Sequence, residues 1–160
     1  MIIVHTGAAG LVGEEETHMA TKGDFTAEQW SSMAFAIEDS MMLVSVANGP
    51  HFFESMGEAT ASARYMADQA KTNASTLVRD LATGLGMHRD KTLPRDLDAM
   101  EPAVLQRVAD ASKIVADVAP DELPAFKEFL LGVANAGAKA KNGVDEKEQA
   151  AIDKIKGALL

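Results

Sequence analysis

Residues 126–160 read FKEFLLGVANAGAKAKNGVDEKEQAAIDKIKGALL, and this stretch decides the fold. Phe126, Phe129, Leu130, Val133, Gly137 and Ala140 recur at spacings of three and four, the signature of one buried helical face. From Ala134 to Ala140 that face carries almost only Ala and Gly, which lets another helix approach closely. Asn142-Gly143 then turns the chain, because Asn and Gly tolerate the left-handed backbone that ends a helix. Asp145 and Glu148 stand at capping-box positions and open a last helix striped by Ile152, Ile155 and Leu159.

The same grammar runs upstream. Phe25-Thr26-Ala27-Glu28-Gln29-Trp30 combines a cap (Thr26), its reciprocal partner (Gln29) and a Phe25/Trp30 hydrophobic staple. It predicts a helix over Ala27–Ala47 with Trp30, Met33, Ala34, Ile37, Met41 and Val44 on its inner face. Asn48-Gly49-Pro50 ends it. A second helix is expected over Pro50–Ala70, packing through Phe53, Met56, Ala63, Met66 and Ala67. Asn73 or Ser75 caps a shorter one carrying Leu77, Val78, Leu81 and Ala82, which stops near Gly84 and Gly86. Met87–Met100 is the main surface connection, holding at most one helical turn. Pro102 is expected to open the next helix, striped by Leu105, Val108, Ser112, Val115 and Ala119, with Pro120 closing it. Asp121 then caps the helix that contains Pro124 in its first turn.

Nothing alternates with period two, so the body reads as all-α: one compact bundle of about six to seven helices over residues 19–160. The chain's 160 residues suffice for a core of that kind. The chain has no cysteine, which removes disulfides, thiolate metal sites and cysteine nucleophiles. A net charge of -9 argues against nucleic acid, whose backbone needs clustered lysine and arginine. No apolar run is long enough to span a membrane, and a cytoplasmic location is the expectation.

Residues 1–18 behave differently. Gly7, Gly10 and Gly13 follow the apolar run MIIV, as in a dinucleotide-binding turn. That motif needs an amphipathic helix and a second buried strand, and the polar GEEETHMATKGD follows instead. A signal peptide would start with positive charge and lack the three glycines. A disordered or non-native leader is therefore expected, with Met19 as a natural start. Glu15-x-x-His18 has di-iron ligand spacing but stands alone.

Two turns match. Asn48-Gly49 precedes Glu54 as Asn142-Gly143 precedes Glu148, 94 residues apart, and Phe35 falls on Phe129 at the same offset. The repeat implies two pseudo-symmetric helical hairpins packed face to face. FLLGVANAGAKAKNGVDEKEQAAIDKI resembles the TerB-like, tellurite-resistance-associated helical domain, closely over Phe126–Leu160 and loosely over Trp30–Ala67. That family shows a long apolar helix, an Asp-Gly turn and a Glu in the next helix, twice. The resemblance implies a non-enzymatic cytoplasmic binding module, linked to stress or tellurite resistance, with a metal-associated acidic site at the turns. Its positions here are Asn48, Glu54, Asn142 and Glu148. Asn replaces the family's Asp at both turns, so at most weak binding of a divalent ion such as calcium is expected. The loop is no EF-hand, since only four residues separate Gly143 from Glu148.

Each candidate also has a structural role on offer. Glu148 completes a capping box with Asp145, and a first-turn acid such as Glu54 suits the helix dipole. His51 lies one helical turn before Glu54 and serves equally as a helix-entry residue, while His88 sits in a charged loop. Met33, Met41 and Met66 fall on apolar stripes, where core filling explains them. The alternative function is a helical scaffold or dimerising protein without metal, with a protein partner or a homodimer.

Overall fold

A computed structural model describes residues 18–47, 49, 56–86, 90–139 and 144–159; side chains are described throughout these except at 56–59 and 139. Six α-helices follow in order: α1 (Ala27–Val46), α2 (Met56–Thr72), α3 (Thr76–Gly84), α4 (Leu97–Val118), α5 (Leu123–Lys139) and α6 (Glu146–Ala158). Two short 3₁₀ turns, Lys22–Asp24 and Pro120–Glu122, precede α1 and α5, and no strand occurs among the described residues. The all-α bundle expected from the stripes is the fold.

Its centre is the crossing of α1 and α5. α4 packs along α1, α2 packs along α5, α3 leans on α2, and α6 closes against α1, α4 and α5. Thus α2 packs on α5 and α6 packs on α1, whereas α1 and α2 do not pack closely on each other as a hairpin among the described residues. The core they share contains Met33, Ile37, Leu43, Val104, Val108, Phe126, Phe129, Leu130 and Ile155, each at most 1% exposed. Every such side chain contributes on the order of 1.5–3 kcal/mol by leaving water.

The helix ends form as the local sequence dictates. Thr26 and Gln29 close their capping box, with the Gln29 N–H donating to Thr26 Oγ1 at 3.1 Å and the Thr26 N–H to Gln29 Oε1 at 2.9 Å. Phe25 meets Trp30 with ring centroids 6.2 Å apart, so the staple is in place. Ser75 caps α3 by accepting from the Val78 N–H, and Leu77, Val78, Leu81 and Ala82 are all buried. On α5, Phe126, Phe129, Leu130 and Val133 are buried as expected, with Ala134 and Ala138 added; Ala140 lies outside the described residues. Ile152, Ile155 and Leu159 bury on α6 and its cap.

Four local expectations need correction. α4 starts at Leu97, capped by Asp96, and Pro102 lies inside it. The proline is still near the N-terminus, so it removes one early i→i−4 bond and the helix tolerates it. Asp121 is not a cap: it sits in the 3₁₀ turn that leads directly into α5. On α2 the inner face carries buried Ser62 and half-buried Tyr65 and Met66, while Ala63 and Ala67 are exposed; Phe53 and the Met56 side chain are outside the description. The inner face of α1 is broader than the stripe. It takes in Ala36, Asp39, Ser40 and Leu43, because helices cover it on several sides, while Ala34 and Met41 are only half-buried.

Candidate functional site

Of the four residues at the matched turn positions, Glu148 is described, whereas Asn48, Glu54 and Asn142 lie outside the described residues, as does His51. Glu148 is 5% exposed. Its Oε2 accepts from the Asp145 N–H at 3.2 Å, and Asp145 Oδ1 accepts from the N–H groups of Lys147 and Glu148, both at 2.9 Å. Its carboxylate is therefore engaged in the capping box and turned into the bundle. Among the described residues no group of three or more acidic or histidine side chains converges as a cation site requires. His18 lies against Asp24 at 3.1 Å, at the surface, and Glu15 is outside the description.

Gly49 adopts φ 121°, a region open to glycine and strained for other residues, and its N–H donates to Val46 O at 2.9 Å. The flanks of the two turns meet. Ala47, just before the first turn, and Lys147, just after the second, line one cleft of about 190 Å³ at this end of the bundle. Leu43, Leu97, Ala150 and Ala151 give the cleft an apolar floor, and Glu101 and Lys154 stand on its rim, paired at 2.7 Å. Leu97 is 37% exposed, one of only two large apolar side chains exposed among the described residues.

A second polar centre was not anticipated from the sequence. Arg107 of α4 pairs with Asp39 of α1, and the same Nη1 lies 2.7 Å from Asp90 Oδ2 in the α3–α4 connection. Its Nη2 donates to Thr92 Oγ1 at 3.0 Å, and the Thr92 N–H donates to Asp90 Oδ1 at 2.8 Å. Glu38, beside Asp39, accepts from the Gly86 N–H at 3.1 Å. Two adjacent acids on α1 thus hold the two sides of one connection, Glu38 directly and Asp39 through Arg107. Burial pushes Glu38 up to about 7, with the Gly86 N–H pulling the other way and the Asp39 charge adding to the rise. Burial also raises Asp39, against the pull of Arg107. At Asp90 the burial penalty is outweighed by hydrogen bonds from Thr92 and by Arg107, so its carboxyl is held below the usual range. Ser32, Phe35 and Asp110 complete a cleft of about 160 Å³ beside this centre. The available signal was two acids inside the apolar run AFAIEDSMMLV, where a purely apolar face would be expected.

No helix among the described residues is long and apolar enough to cross a membrane. No family model matches the chain, and neither a curated protein nor a solved structure matches it.

Proposed function

We propose that the chain is a non-enzymatic helical binding module of the TerB-like kind, and that its binding face is the bundle end where both Asn-Gly turns arise. One observation carries this reading: Ala47 and Lys147, which flank the two turns and stand 100 positions apart in sequence, line a single cleft that has the exposed Leu97 in its floor. A protein that catalyses nothing still needs a surface that recognises something, and apolar concavity with a polar rim is the form such surfaces take.

The cation chemistry that the resemblance implies is weak in this reading. Glu148 already serves the cap, and Lys147 and Lys154 bring positive charge to the cleft. Hard divalent ions need several oxygen ligands with compensating negative charge. Calorimetric titration of the purified protein with calcium and with magnesium tests the point. Binding no tighter than about 0.1–1 mM is expected, the range of weak oxygen-ligand sites. Asn48→Asp with Asn142→Asp should tighten it, and Glu54→Ala should weaken it. Tight binding that survives Glu54→Ala and Glu148→Ala places the ion elsewhere and ends the turn assignment.

A further inference from the structure

We draw no further inference here: the strongest candidate, the side-chain cluster in which Glu38, Asp39 and Arg107 hold the connection between α3 and α4, would be a pH-sensitive clasp on the strength of the raised Glu38 pKa alone.

Discussion

Two seams run from the central helix pair, and they are built from opposite materials. Between α2 and α5 the contact is made by subtraction. Gly132 has no side chain, and Tyr65 lies where one would be, with its ring stacked at 15° on Phe129. Further along, Ser62 Oγ lies 3.3 Å from where a side chain on Gly137 would begin. Between α1 and α4 the contact includes a buried charge: Asp39 is 4% exposed and is answered by Arg107 across the seam. The first seam depends on shape and the second on a specific partner, so the two should fail differently.

The α1–α4 seam should give the largest loss. Replacing Arg107 by Met keeps the packing length but leaves Asp39 buried and unpaired. Removing one member of a buried pair costs about 3–5 kcal/mol, and the partial exposure of Arg107 puts the expectation near the lower figure. Replacing both partners, Asp39→Leu with Arg107→Met, should recover part of it, since apolar groups of similar volume satisfy the Asp39 position while Asp90 still loses its cation. Urea unfolding of Arg107→Met, Asp39→Leu and the double variant measures this. Additive losses in the double variant would mean that the pair is not a coupled unit.

The α2–α5 seam should yield less. A Cβ at Gly132 would sit 1.9 Å from Tyr65 Oη and 2.3 Å from Cζ. The half-buried ring can swing outward, giving up its stack on Phe129. Overpacking of this kind costs about 1–3 kcal/mol, and the better helix propensity of alanine returns up to about 1 kcal/mol. Gly132→Ala should therefore destabilise by about 1 kcal/mol net. In a Tyr65→Ala background only the propensity gain remains, and the sign should reverse. If Gly132→Ala destabilises equally in both backgrounds, the tyrosine is not what fills the space.

The seams also differed in how far they could be read in advance. Local rules placed the capping boxes at Thr26 and Asp145, the stripes of α3 and α6, and the small-residue face of α5, because each is written within a few consecutive residues. The α1 stripe came out too narrow, since a 3.6-residue period assumes one covered face and α1 has several. Pro102 misled because proline is favoured at a helix start, yet Asp96 supplied a better cap. The Asp39–Arg107 pair is unreadable for a stronger reason: its members are 68 residues apart, and only the fold brings them together. At the turns, the sequence showed what could cap and what could ligate with the same letters. Only the Glu148 carboxylate on the Asp145 N–H separates those roles at that residue.

A third difference lies in pH dependence, and it belongs to the charged seam alone. Glu38 has a folded-state pKa of about 7 against an ordinary 4.5. Below about pH 4.5 both states hold the proton. Between there and about pH 7 the unfolded chain releases it while the folded one keeps it, so Glu38 makes stability fall as pH rises. Asp39 shifts in the same direction. Asp90 shifts the other way, and its contribution is lost only in acid, below the ordinary aspartate range. In the α2–α5 seam the group that shifts is Tyr65, raised by burial above its ordinary value and so away from this window. Unfolding free energies at about pH 5 and about pH 8 should therefore show a drop in wild type that Glu38→Gln reduces. Gly132→Ala, by contrast, should lower the whole curve and leave its slope alone. Equal slopes in wild type and Glu38→Gln would show that this carboxyl keeps an ordinary pKa, and the contact between Glu38 and the Gly86 N–H would then lose its part in the pH response.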